Sequence, residues 1–369
     1  MRRFVFSREH PLISSEDFLQ KCTLRTKTSL PLEYEKIFRD TKDYSQRFSL
    51  PEPPKETAPS KKLFPIRTTR VKGLADDFYS SLLDWQGQNI VFALDERVFV
   101  QNFLTGRTSL VARLNSTYIT SVKICPVSNV IGVGTCTGDA ALIDMEGKIL
   151  AKKHLHKSRI GVLEWNEKQM LTGSRDRSIK YMDPRSSEDT RSIIVHTQEV
   201  CGLAFSPCKG YLATGGNDNK VFIVDERAHG LVLHAISSHK AAVKAIGWCP
   251  ERSDVLATGG GTADRTVKTW KVSGSVEKLI DSVDYGSQVC NLRWTRRNEL
   301  ITTHGYSQND VRILNLGTHK NTKVFEGHKN RVIHFGMSTD EEYFATGSGD
   351  ETLCIWRARE NDLTNFLIR

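Results

Sequence analysis

Much that would assign this chain to a familiar class is missing. No apolar run approaches the roughly 18 residues a membrane-spanning helix needs, and no signal-peptide core follows the basic start. Eight cysteines are present, but none pairs as C-x-x-C and none has a histidine at zinc spacing. They stand singly in apolar surroundings, as at Cys201, Cys290 and Cys354, and read as small buried residues of a reducing compartment. Gly132-x-Gly134-x-x-x-Gly138 has glycines but not the spacing of a nucleotide loop, and no helix follows it. No nucleophile–base pair, metal constellation or pair of funnel acids stands out, so an enzyme is not expected and no cofactor is called for. Ser206-Pro207 is the one Ser/Thr-Pro pair, which argues against proline-directed control of the N-terminal tail.

What is present is a repeat. A large apolar residue closes a short run at Trp85, Cys125, Trp165, Phe205, Trp248, Trp294 and Met337, in steps of 40, 40, 40, 43, 46 and 43. A second mark follows a polar turn and an alternating strand, at Asn102, Asp144, Asp183, Asp225, Trp270, Asn315 and Trp356. Two marks in phase at this period are the signature of a WD-type β-propeller blade. The fold class is therefore all-β, a seven-bladed WD-repeat propeller. In the fourth unit Glu199–Ser206, Tyr211–Gly215 and Val221–Asp225 read as strands, with Asn217-Asp218-Asn219 as a reversal and a fourth strand near Val232–Ile236. A His-x-x-x-Val/Ile step leads into four units, from His156, His196, His239 and His328. In the seventh unit His328, Thr346 or Ser348, Asp350 and Trp356 are set to form a buried hydrogen-bond chain, so the histidines read as structural.

Charge divides the chain. Residues 1–72 hold 16 Lys+Arg against 9 Asp+Glu, a net +7 of the total +9. Pro51–Lys62 has the composition of a disordered linker. The basic clusters are short and lack interleaved stacking aromatics, so nucleic-acid binding is not the favoured reading. The organisation predicted is a basic docking tail over 1–65, a propeller over 66–356 and a short C-terminal tail over 357–369. Since blade seven ends at Trp356 without an outer strand of its own, Ile66–Val71 is expected to supply it and cover the open edge.

The rim sequences are the distinctive part. Gly73-Leu-Ala-Asp-Asp-Phe-Tyr79, Gly173-Ser-Arg-Asp-Arg177, Gly215-Gly-Asn-Asp-Asn-Lys220, Gly259-Gly-Gly-Thr-Ala-Asp-Arg265, Ser287-Gln-Val-Cys-Asn291, Thr303-His-Gly-Tyr-Ser-Gln-Asn309 and Gly349-Asp-Glu-Thr-Leu353 together closely resemble the Fizzy and Fizzy-related family. These are the WD-repeat activators and substrate receptors of the anaphase-promoting complex. The resemblance implies binding of degrons on cell-cycle substrates, cyclin-like and securin-like, for ubiquitination. It implies a non-catalytic protein of nucleus and cytoplasm, with no membrane partner.

Site residues follow from the same resemblance. Asn217, Asn219 and Thr262 lie on turns between second and third strands, and Gln288 and Arg331 on loops leading into first strands. These positions match the family's pocket for a Lys-Glu-Asn degron, and amides with an arginine suit a carboxylate and an amide. Asp95 and Glu351 lie on equivalent turns of blades one and seven. They match the receptor for the destruction box Arg-x-x-Leu, where two carboxylates can hold a guanidinium. Ile368-Arg369 matches the family's C-terminal tail, which docks on helical-repeat subunits of the complex. Near the start, Arg3, Phe4, Val5 and Arg8 keep part of the family's N-terminal docking box, although Phe6 replaces its proline and Arg2 its leading acid. The competing reading is a WD-repeat scaffold of another nuclear assembly, such as an RNA-processing particle. It predicts binding through the basic tail and no degron preference. Fizzy-proper and Fizzy-related features are mixed.

Overall fold

The computed structural model describes residues 62–359, apart from 116, 168, 184–190, 229, 274–275 and 316–319. These residues form seven antiparallel-cored sheets, each ordered from an inner to an outer strand. Blade four shows the plan: Val200–Phe205, Tyr211–Gly216, Val221–Asp225 and Leu231–Ile236. The sequence marks each blade because the second strand lies between two sheets. Leu212, Ala213, Thr214, Gly215 and Gly216 are all buried, whereas the outer strand begins with exposed Leu231 and Val232 and is buried only at Ile236. Inner strands of neighbouring blades pack face to face, and Trp165, Trp248 and Trp294 each donate their indole N–H to a backbone carbonyl of the preceding blade, at 3.3, 3.1 and 2.9 Å.

The ring closes through a segment far away in sequence. Arg67–Arg70 pairs antiparallel with Thr352–Arg357. Flanking bonds from Ile66 N–H to the Ile355 carbonyl and from Val71 N–H to the Glu351 carbonyl extend that ladder across the expected Ile66–Val71 segment. One strand went unforeseen. Lys62–Leu63 adds a fifth, parallel strand to the outer edge of blade six, beside Val324 and Phe325. The N-terminal segment thus covers the edges of two adjacent blades, not one.

Two register details correct the sequence marks. In blade two it is Ile124, paired with Ile131, that stands where Trp165 stands opposite Met170; Cys125 is one residue later. Two adjacent apolar residues hid the slip, since a one-residue shift changes the face. Likewise Trp270 and Trp356 pair with Leu256 and Phe344, as Val224 pairs with Leu212. Asp225 instead pairs with Tyr211, the partner position of Lys271 and Arg357 in the other blades. The tryptophan and the aspartate are neighbouring positions, and no blade of this chain carries both.

The four histidine steps build the expected buried hubs. His328 bonds Asp350 (3.3 Å) and Thr352 (3.0 Å) through Nδ1 and Thr346 (2.7 Å) through Nε2; the Trp356 indole donates to the same threonine at 2.7 Å. Thr346 is the hydroxyl used, since Ser348 donates instead to the Asn330 carbonyl. His156 and His196 repeat the arrangement with Asp176 and Thr172, and with Asp218 and Thr214. The aspartates fix the loops as well, accepting the N–H of Lys157, Thr197 and Lys329. These charge-assisted bonds hold the Asp176 and Asp218 carboxyls down to about 2 against the opposing effect of burial.

Candidate functional site

One face of the ring is built from the turns between second and third strands. In all seven blades that turn holds a residue with positive φ: Asp95, Gly138, Arg177, Asn219, Arg265, Asn309 and Glu351; in blade one it opens the turn and Glu96 follows it. A left-handed residue reverses the chain tightly, and short polar side chains tolerate it best. Only blade two requires glycine there, because a Cβ on Gly138 would collide with the His156 carbonyl. The same turns are tied to the loops leading into the inner strands. Asn217 N–H donates to the Glu199 carbonyl at 2.8 Å, Gly305 N–H to Gln288 at 2.9 Å and Gly349 N–H to Arg331 at 3.3 Å. Both kinds of predicted site residue therefore lie on one face.

A strap formed by residues 71–82 crosses that face. Leu74, Phe78, Ser80 and Leu82 are buried. Asp76 accepts from Arg331 of blade seven, through Nε at 3.1 Å, while Arg331 Nη2 donates to the Asp76 carbonyl at 3.0 Å. Asp77 accepts from Arg159 of blade three at 2.8 Å; the same guanidinium forms a two-pronged bond with Glu199 of blade four, at 2.6 and 2.8 Å. Phe78 packs with Ala242 and Cys290 of blades five and six. Tyr79 donates its hydroxyl to Asn217 Oδ1 at 2.6 Å, and Asn217 Nδ2 donates to Gln198 at 2.8 Å. Ser81 bridges to Ser121 of blade two. Burial raises the Tyr79 phenol, which keeps it a donor.

The predicted residues fall into two groups with different surroundings. Arg331 and Gln288 stand together, because a Cβ on Gly305 would touch both Gln288 Oε1 and Arg331 Cγ. Through Asp76 and Tyr79 the strap connects this pair with Asn217. With its two bonds made, Asn217 keeps one N–H and one lone pair open, and Arg331 keeps its Nη1 edge. Asn219 and Thr262 lie on the same rim, but no hydrogen bond among the described residues joins them to the others. In the second group Asp95 and Glu351 are left-handed residues on corresponding turns of neighbouring blades, although Glu96 is the register counterpart of Glu351: the Leu114 N–H bonds the Glu96 carbonyl as the Val71 N–H bonds that of Glu351. Asp95 is paired only with the exposed Arg97 at 3.5 Å, a contact worth at most about 1 kcal/mol and easily exchanged. Glu351 holds the Gly73 N–H through Oε1 at 3.1 Å, leaving Oε2 free of it. Arg3, Phe4, Val5, Arg8, Ile368 and Arg369 lie outside the described residues.

With this geometry in place, relatives are informative. The profile of the CDC20/Fizzy WD40 domain matches residues 71–356, which covers the strap and the seven blades apart from the two N-terminal edge strands. The chain belongs to the CDC20/Fizzy family. It is 37% identical over 297 residues to the APC/C activator protein CDH1 of Saccharomyces cerevisiae, covering 79% of this chain and 52% of that protein. It is 34% identical over 352 residues to the B-type cell cycle switch protein ccs52B of Medicago truncatula, covering 94% and 71%. To the anaphase-promoting complex subunit cdc20 of Dictyostelium discoideum it is 35% identical, covering 81% and 61%. A chain in a solved structure titled "Crystal Structure of Mitotic Checkpoint Complex" superposes with a TM-score of 0.77 at 34% identity, covering 82% of this chain and 98% of that one. The chain spans about half the length of the yeast relative.

Sequence reasoning missed the strap's part in the CDC20/Fizzy rim, and with it Asp76, Tyr79, Lys244 and His334. One signal was available. Lys244 and His334 interrupt the apolar inner strands Val243–Trp248 and Val332–Met337, where an ionisable residue needs a partner.

Proposed function

We propose that this chain is an activator and substrate-recruiting subunit of the anaphase-promoting complex, a non-catalytic degron receptor that works in nucleus and cytoplasm. The observation that carries this reading is the pairing, on one rim of a CDC20/Fizzy propeller, of two chemically different receptor groups. The Asp95/Glu351 seam offers carboxylate oxygens to the guanidinium of an Arg-x-x-Leu segment. The Asn217/Gln288/Arg331 group, with Asn219 and Thr262 on its margin, offers amides and a guanidinium to Lys-Glu-Asn. Cyclin-like and securin-like chains carrying such segments are the expected substrates. Residues Arg3, Phe4, Val5, Arg8, Ile368 and Arg369 are the expected contacts to helical-repeat subunits of the complex.

Fluorescence-polarisation titration with the two peptides tests this. Asp95→Ala with Glu351→Ala should abolish binding of the Arg-x-x-Leu peptide and spare the Lys-Glu-Asn peptide; Asn217→Ala with Arg331→Ala should do the reverse. Each lost charge-assisted bond costs about 1.5–3 kcal/mol, roughly tenfold or more in affinity. If both double variants lose both peptides equally, the two-site reading fails; if neither loses either, the receptor reading fails.

A further inference from the structure

The strap is held by two buried side chains of the inner strands. Lys244, on the inner strand of blade five, is 7% exposed, and His334, on that of blade seven, is 1% exposed. Lys244 Nζ donates to the Ser80 carbonyl at 2.7 Å and to the Ile333 carbonyl at 3.2 Å, and lies 5.6 Å from the centre of the Phe78 ring. One ammonium thus joins the strap, blade five and blade seven. His334 accepts the Leu82 N–H on Nδ1 at 3.2 Å, so its proton is on Nε2, which donates to the Ala75 carbonyl at 3.0 Å. A single neutral imidazole grips the strap at both ends. Burial is the cost of both pins: it draws Lys244 down to about 8 and His334 down to about 3.

Between the two gripped carbonyls, Ala75 and Ser80, lie Asp76 and Tyr79, the residues that orient Arg331 and Asn217. Asn217 and Arg331 belong to blades four and seven, and no bond among the described residues links them except by way of the strap. Their spacing and their free edges therefore depend on where the strap sits. We propose that Lys244 and His334 are positioning residues for the amide–arginine receptor site, acting only through the strap. The inference rests on the Lys-Glu-Asn reading of that site. It sets the two receptor groups apart, because among the described residues no hydrogen bond or ion pair joins Asp95 to the strap, and Glu351 bonds it at Val71 and Gly73, in its first turn.

The test uses the full chain with Lys244→Met, His334→Ala and His334→Gln, reading both peptide affinities, the melting temperature and hydrogen exchange over residues 75–82. Lys244→Met should weaken the Lys-Glu-Asn peptide at least tenfold, leave the Arg-x-x-Leu peptide within about twofold, and speed exchange in the strap. His334→Gln, which retains one donor and one acceptor, should recover much of what His334→Ala loses. A purely structural role would lower the melting temperature and leave the ratio of the two affinities unchanged, and that result would overturn the proposal. Unchanged strap exchange in both Lys244→Met and His334→Ala would overturn it as well. Should Lys244→Met fail to fold, the His334 pair decides by the same ratio. If the wild-type chain does not bind the Lys-Glu-Asn peptide, the receptor reading has failed, and strap exchange alone then reports whether the pins hold.

Discussion

Blades six and seven are neighbours built on one plan, yet their hubs have almost nothing in common. Blade seven centres on His328, Asp350, Thr346 and Trp356, with every polar group of the chain engaged. In blade six, Tyr285 stands four residues before the inner strand, where blades three, four, five and seven have histidine, and Gln308 occupies the aspartate position. Its histidine comes instead from the end of the second strand. His304 stacks on Tyr285 with ring centres 4.7 Å apart and bonds Thr302 at 2.9 Å. Asp310 follows the left-handed residue and is held by Arg312 at 2.8 Å. His304 Nδ1 and Asp310 Oδ1 are buried with no hydrogen-bond partner. The blade's outline survives the exchange, so the hub is one way of satisfying the site, and its parts can be replaced when they change together.

The sharpest contrast should come from the third strands. Trp356 is fully buried, stacks on Phe344 and meets Phe325 edge-on. Its counterpart in blade six is Leu314, paired with Leu300. Trp356→Ala should cost about 3–5 kcal/mol and Leu314→Ala about 2–3 kcal/mol, measured as urea midpoints. Equal losses would mean that the tryptophan's indole bond and extra ring area contribute nothing to blade seven.

Arg312→Met isolates the other hub. It leaves Asp310, 4% exposed, buried without its cation. Burial already raises that carboxyl despite Arg312, so the orphaned group will take up a proton. Its penalty should therefore be about 2–3 kcal/mol where the carboxyl is ionised and should shrink as pH falls, as the neutral form becomes available. A loss independent of pH would show that Arg312 acts by packing on Tyr285.

The two histidines should give opposite pH slopes. His328 is pushed up to about 9: burial opposes its charge, but the Asp350 carboxylate prevails. Its stabilisation is complete below the ordinary value near 6.5 and is lost as pH rises through about 9, at most about 3 kcal/mol. His304 is drawn down to about 3 by burial and by Arg312. Its neutral form is the stabilising one, so that contribution holds above about 6.5 and is lost as pH falls toward 3. His328→Gln should flatten the alkaline limb of a stability–pH curve, and His304→Gln should soften the acid limb. The acid effect will be the smaller fraction, because burial lowers His156, His239 and His334 too.

This contrast also shows what the sequence could tell. Four histidine steps were legible because each histidine stands four residues before an inner strand, and the hydroxyl and aspartate of a hub were read only in blade seven. Blade six was placed by Trp294 and Asn315 alone, since its hub uses the same chemistry from other positions. Alternation gave the strands but not their register where two apolar residues adjoin, as at Ile124-Cys125. On the rim, turn residues such as Asp95, Asn217 and Glu351 were visible, because turn chemistry is local. The strap was not, because its bonds join residues far apart in sequence, 259 positions between Ala75 and His334 and 278 between Gly73 and Glu351.

The last prediction asks whether the blade-six hub is a substitute or a necessity, and expects the smallest net effect. Tyr285→His, His304→Ser, Gln308→Asp, Asp310→Thr and Arg312→Cys would copy the blade-seven pattern onto blade six, position by position through the paired strands. Thr302 already stands where Thr346 does, so the new histidine finds its hydroxyl waiting. Made singly, these changes leave an unpaired charge or an unfilled ring site, each costing about 1–3 kcal/mol. Made together they should cost no more than about 1 kcal/mol, because residues sharing one network are coupled and their single-site losses do not add. The copied hub should also move the blade from the acid-sensitive class to the alkaline-sensitive one. A quintuple variant as unstable as the sum of its parts would mean that the surroundings of blade six, including the parallel Lys62–Leu63 strand on its edge, require the tyrosine hub.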